Sequence, residues 1–122
     1  MEHEELTYKV IGACMAVHRA LGPGLLETCY HNALYYAVSD TGLQAVYNAP
    51  YEVVFAGRTV GEYFADLLVE GRLIVEVKAV REFCPEHAAQ ILNYLAISGC
   101  RVGLLANFAP RSLAWKRFVW SG

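Results

Sequence analysis

The stretch EYFADLLVEGRLIVEVKAV, residues 62–80, is built like a β-hairpin, yet it carries Asp66, Glu76 and Lys78 among its Leu, Val and Ile residues. Side chains alternate faces along a strand, so Glu76 and Lys78 share a face with Ile74, while Leu73, Val75 and Val77 take the other. On the preceding strand Asp66 shares a face with Phe64 and Leu68. A three-residue connection at Glu70-Gly71-Arg72 sets Val69 opposite Leu73 and therefore Asp66 opposite Glu76, with Cβ atoms about 4.5–5.5 Å apart.

Like charges facing each other across a sheet destabilise it, the more so when partly buried. Such a pair persists where a proton or a metal ion offsets it, and hard oxygen ligands suit Mg²⁺ or Mn²⁺. A neighbouring lysine then holds a water or a developing negative charge. The competing reading is a half-exposed hairpin whose polar face is solvated. Glu-x-Lys alone favours that second reading, because charged residues mostly sit at surfaces.

The 122 residues fit a single domain, 1–122. A composition of 56% hydrophobic and 18% charged residues supplies a core and leaves room for a self-association surface, as in a homodimer. The net charge of −2 lacks the footprint of a tight, non-specific nucleic-acid binder, although Arg111, Lys116 and Arg117 form a local basic group. Cysteines 14, 29, 84 and 100 include no Cys-x-x-Cys pair and read as reduced core thiols of a cytoplasmic protein. No apolar run approaches the roughly 20 residues of a membrane span, so no membrane is expected as a partner.

Residues 5–21 repeat apolar positions at helical spacing and end at Gly22-Pro23-Gly24, which predicts a first helix. A second runs from about Leu25 to Asp40 and stops at Thr41-Gly42. Strand formers then predict strands over about 44–56, broken near Pro50, and over 59–69 and 73–79. Pro85 opens a third helix that ends at Ser98, and VGLLANFA at 102–109 reads as a strand covered on both faces. A last strand falls at about 116–120.

On the second helix Glu27 lies one turn from Tyr30 and His31 and two from Leu34, so its carboxylate borders the buried stripe. Its simpler role is that of a first-turn acid favoured by the helix dipole. On the third helix Gln90 and Tyr94 are four apart on one face, with His87 three residues before Gln90. His18 and His31 lack metal-ligand spacing and read as helix-face or partly buried histidines.

Gly24, Glu27 and Tyr30 match the Gly-x-x-Glu-x-x-Tyr signature of the GxxExxY family, and Asp66 followed by Glu76-Val77-Lys78 resembles the core of the PD-(D/E)XK nuclease superfamily. Gln90-Ile91-Leu92-Asn93-Tyr94 is similar to the Gln-x-x-x-Tyr motif of its RecB-like branch. Ala65 stands where the superfamily's proline precedes the aspartate. The resemblance implies an α/β, restriction-endonuclease-like αβββαβ core, a mixed sheet flanked by helices, here with an extra N-terminal helix. It also implies Mg²⁺ or Mn²⁺ as cofactor, held by Asp66, Glu76, the Val77 carbonyl and Glu27, with Asp66, Glu76, Lys78 and Glu27 as the catalytic group. Gln90, Tyr94 and Tyr30 would contact substrate. The implied activity is Mg²⁺-dependent hydrolysis of nucleic-acid phosphodiesters, with DNA as the expected partner. The alternative is a nucleic-acid-binding or regulatory module that keeps the nuclease fold without turnover.

Overall fold

The computed structural model describes residues 3–122. Two helices, α1 (Glu4–Leu21) and α2 (Glu27–Asp40), precede three strands, β1 (Ala45–Phe55), β2 (Arg58–Val69) and β3 (Leu73–Lys78). Helix α3 (Pro85–Ser98) then leads to β4 (Val102–Asn107) and β5 (Ala114–Val119). The strands form one sheet in the order β1-β2-β3-β4-β5, with β3 and β4 parallel and every other pair antiparallel. A parallel pair needs a crossover, and α3 supplies it. This is the αβββαβ arrangement of a restriction-endonuclease-like core, with α1 added in front and β5 behind.

The sheet is covered on both faces because its strands carry apolar side chains on both. Leu67, Val69, Val75, Val77, Leu104 and Phe108 pack with Val10, Cys14, Tyr30 and Leu34 of α1 and α2. Ile74 and Leu105 pack with Ile91 and Leu95 of α3 on the opposite side. Every residue of β4 is consequently buried, as its continuous apolar run requires. No helix among the described residues is long and apolar enough to cross a membrane.

Three local expectations need correction. Strand β1 continues past Pro50, because β1 is an edge strand and a residue without an N–H is tolerated there; its pairing with β2 is interrupted two residues earlier, at Asn48. Helix α2 starts at Glu27 rather than Leu25, since the Leu25 amide donates to the Tyr30 hydroxyl at 3.0 Å and is held outside the helix. Cys29 is exposed, so the thiols are not all core groups, although all four are free and burial pushes the Cys14 thiol up to about 12.

The β1–β2 hairpin outruns the sheet. Only its base lies beside β3, and its tip carries Phe55 at 72% exposure. At the other end of the core, Gly103 lets α3 approach β4 closely, for a Cβ there would sit 2.8 Å from Ile91 Cδ1. Gly103→Val adds methyl groups to a space that is already filled. The expected cost is about 1–3 kcal/mol, read as a lower midpoint in urea denaturation, and a variant as stable as the wild type contradicts this packing.

Candidate active site

The β2–β3 ladder pairs Val69 with Leu73, Leu68 with Ile74 and Leu67 with Val75, and there it stops. This is the register that the Glu70-Gly71-Arg72 connection sets, with Glu70 and Gly71 both in the left-handed region at φ +54° and +65°. One step further on, side chains replace the ladder. The Asp66 N–H donates to Glu76 Oε2 at 2.7 Å, and the Val77 N–H donates to Asp66 Oδ2 at 2.7 Å. Each carboxylate thus takes the place of the main-chain partner that the departing strand removes, and buried N–H groups stay satisfied.

The β1 side is interrupted at the same level. Pairing passes from Tyr47–Leu67 to Ala49–Ala65 and omits Asn48, whose φ of +51° is left-handed. Leu67 packs toward α1 and α2, whereas Ala65, two residues away, packs toward α3, so β2 changes face at Asp66. The freed Asp66 carbonyl accepts from His31 Nε2 at 2.9 Å. A carbonyl only accepts, so Nε2 carries the hydrogen. The Tyr47 ring stacks on His31 with centroids 4.2 Å apart, and its hydroxyl donates to Asn32 at 2.6 Å.

Around this node the remaining residues fall into place. Glu27, at the first turn of α2, accepts from the Ala79 N–H at 3.2 Å; it borders the buried Tyr30, His31 and Leu34 but is itself exposed to solvent. Lys78 Nζ donates to Gln90 Oε1 at 3.0 Å, which ties the end of β3 to α3. The Tyr94 hydroxyl donates to the Phe64 carbonyl at 3.0 Å, tying α3 to β2 as well. Buried Asn107 fixes the chain beyond β3, accepting from the Val80 N–H at 3.0 Å and donating to its carbonyl at 2.8 Å.

Tyr30 is the correction. It was expected to touch substrate but is fully buried, stacked on Phe108 with centroids 4.9 Å apart. Its hydroxyl donates to the Gly22 carbonyl at 2.6 Å and accepts from Leu25, closing the loop that contains Gly24 at φ +100°. The Gly24, Glu27 and Tyr30 spacing is therefore a clamp: a left-handed turn that only Gly adopts freely, a buried tyrosine that shuts it, and a glutamate delivered at the next helix start. His31 is the residue that sequence reasoning undervalued. The available signal was its position four after Glu27, on the same helix face.

Burial dominates the electrostatics, with the charge of Asp66 next in its effect on Glu76. Glu76 is 2% exposed, and burial, then the Asp66 charge, raises its carboxyl to about 8. Asp66 is also raised, chiefly by burial, with Glu27 adding to the rise and the Val77 amide, His31 and Lys78 opposing it. Both shifts favour the protonated form, so the buried pair takes up a proton more readily than free carboxyls do. Among the described residues no three His, Cys, Asp or Glu side chains stand ready as a metal-holding group. The donor chemistry nonetheless fits a hard divalent cation, because Asp66 and Glu76 each commit one oxygen to an amide and keep the other.

Glu76 keeps its proton up to about pH 8 when folded, against 4.5 ordinarily, so the folded state binds more protons between these values. Stability is therefore fully present below about pH 4.5 and is lost as pH rises through about 8, with a loss on the order of 3–5 kcal/mol. Urea denaturation in EDTA at about pH 5 and about pH 9 measures this, and Glu76→Gln flattens the profile. A wild-type profile without that fall contradicts the buried pair.

No curated protein matches the chain significantly by sequence. Among solved structures, the crystal structure of SSO0001 superposes with a TM-score of 0.61 at 17% identity, covering 96% of this chain and 59% of that one. An alkaline exonuclease (LHK-Exo) from Laribacter hongkongensis superposes with a TM-score of 0.56 at 14% identity, covering 91% of this chain and 69% of that one. The chain thus spans about 59% of the length of SSO0001. At these identities the likeness is one of fold. The sequence model of the PD-(D/E)XK nuclease superfamily matches residues 4–118, nearly the whole chain and every residue of the node around Asp66, and the protein belongs to that superfamily.

Proposed function

We propose that the protein hydrolyses nucleic-acid phosphodiesters, DNA foremost, with Mg²⁺ or Mn²⁺, and that it belongs to the GxxExxY group on the RecB-like branch. The observation that carries this is the interlocked Asp66–Glu76 pair at the point where β2 leaves β3, with Lys78 fixed beside it by Gln90. Membership of a nuclease superfamily and the likeness to an alkaline exonuclease support it.

Asp66 and Glu76 would hold the ion through the oxygens that they do not commit to amides. The Val77 N–H faces Asp66, and a residue's carbonyl in a strand points to the same side as its N–H, so the Val77 carbonyl joins them on that open edge. Glu27, anchored on Ala79 one residue beyond Lys78, closes the ligand set at the mouth. When bound, a divalent cation offsets charge on the phosphoryl and leaving oxygens and makes a neutral-pH nucleophile available. Lys78 orients the attacking water and stabilises negative charge as it develops, while Gln90 keeps the ammonium aimed rather than free to sample solvent. His31 holds the Asp66 backbone still, and Tyr94 lines the substrate side.

Calorimetry tests the ion: wild-type protein binds Mg²⁺ or Mn²⁺, and Asp66→Asn abolishes that binding because one of few charged ligands is lost. Unchanged binding in the variant removes Asp66 from the ligand set. Cleavage assays on single- and double-stranded DNA and RNA test the reaction. Lys78→Met lowers kcat by on the order of 10² or more, with metal binding changed far less, since its interaction is made in the transition state. Equal cleavage by wild type and Lys78→Met removes the role given to this lysine. Absence of any cleavage with either metal returns the protein to a binding module.

A further inference from the structure

Beside the candidate site lies a cleft of about 380 Å³ lined by Tyr63, Glu86, Ala89, Gln90, Asn93 and Tyr94. Its size is that of a small-ligand site, for which roughly 300–1,000 Å³ is usual. It adjoins the catalytic node, for Gln90 lines the cleft and also holds Lys78, and Tyr94 lines it within reach of the charges of Glu76 and Asp66. Tyr63 and Tyr94 meet edge to face with centroids 5.7 Å apart. Tyr94 is 6% exposed and serves as the wall, whereas Tyr63 is 47% exposed and leaves ring surface open.

The lining selects its ligand. It contains no Lys or Arg and does contain the Glu86 carboxylate, so a phosphate is repelled. Aromatic surface joined to the side-chain amides of Gln90 and Asn93 suits a flat, apolar-faced group with polar edges. We infer that this cleft receives an unpaired nucleobase stacked on Tyr63, next to the scissile phosphate, and that the substrate is a single strand. A base inside a duplex has both faces covered and cannot reach Tyr63 without leaving its stack. An exposed ring such as that of Tyr63 supplies stacking affinity to an unpaired base whatever its identity. The assignment deepens the nuclease reading by naming the substrate's form, and it is tested by binding alone.

Fluorescence anisotropy in EDTA compares two labelled probes, a short oligodeoxythymidylate and an abasic tetrahydrofuran-phosphate oligomer of equal length. The wild type binds the base-bearing probe at least about 10-fold more tightly, Tyr63→Ala erases the difference, and Tyr63→Phe, which keeps the ring, retains it. Circular dichroism checks that both variants fold. Equal binding of the two probes by wild-type protein overturns the inference, as does a Tyr63→Ala protein that still prefers bases. Tighter binding of a duplex of the same length than of the single strand also overturns it. Cleavage is scored separately: a base preference that depends on Tyr63 in a protein that cleaves nothing leaves the cleft standing and removes the nuclease reading. Cleavage with no base preference does the reverse.

Discussion

Everything in the candidate site follows from one constraint: β2 and β3 must part after Leu67 and Val75 without leaving buried amides unpaired. A buried N–H with no partner costs about 1–3 kcal/mol, so strands seldom diverge inside a covered sheet. Here Asp66 and Glu76 accept the two orphaned N–H groups. The same step turns β2 to its other face, exposes the Asp66 carbonyl to His31 and sends the β1–β2 hairpin out of the sheet. Structure and chemistry are thus joined, since the groups that close the fold at this point are the groups whose charge is left over. Burial raises both carboxyls, the Asp66 charge raises Glu76 further, and a cation relieves the same repulsion that a proton relieves.

The surrounding elements serve that node from three directions. The loop closed by Tyr30 brings Glu27 to the Ala79 amide and, four residues later, His31 to the Asp66 carbonyl. Helix α3 contributes Gln90 to Lys78 and Tyr94 to the Phe64 carbonyl, bracing both diverging strands from the other face. Asn107, at the end of β4, pins the chain after β3. Since α3 also packs on Gly103, the same helix that fills the core sets the position of the lysine.

Much of this was legible in the sequence, for definite reasons. Period-two alternation in LIVEVK placed Glu76 and Lys78 on one face, and a three-residue turn fixed the register that brings Asp66 level with Glu76. The continuous apolar run at β4 announced a strand covered on both sides. What could not be read was the break at Asp66, because alternation assumes a regular strand and nothing in YFADLL marks the change of face. Tyr30 was misread for a related reason. A motif spacing reports that a tyrosine is required, and only packing shows that its hydroxyl is consumed by Gly22 and Leu25. Pro50 looks like a breaker in the sequence because edge position depends on strand order, which no local pattern contains; the lapse in pairing falls at Asn48 instead.

A cation held by Asp66 and Glu76 would have one defined position. Crystals soaked in Mn²⁺ and measured at the manganese absorption edge give an anomalous difference map that locates the ion directly. One strong peak is expected between the Asp66 and Glu76 carboxylates, within coordination distance of the Val77 carbonyl and on the side where Glu27 reaches the Ala79 amide. A map with its Mn²⁺ elsewhere on the molecule, or with none between these two side chains, contradicts it.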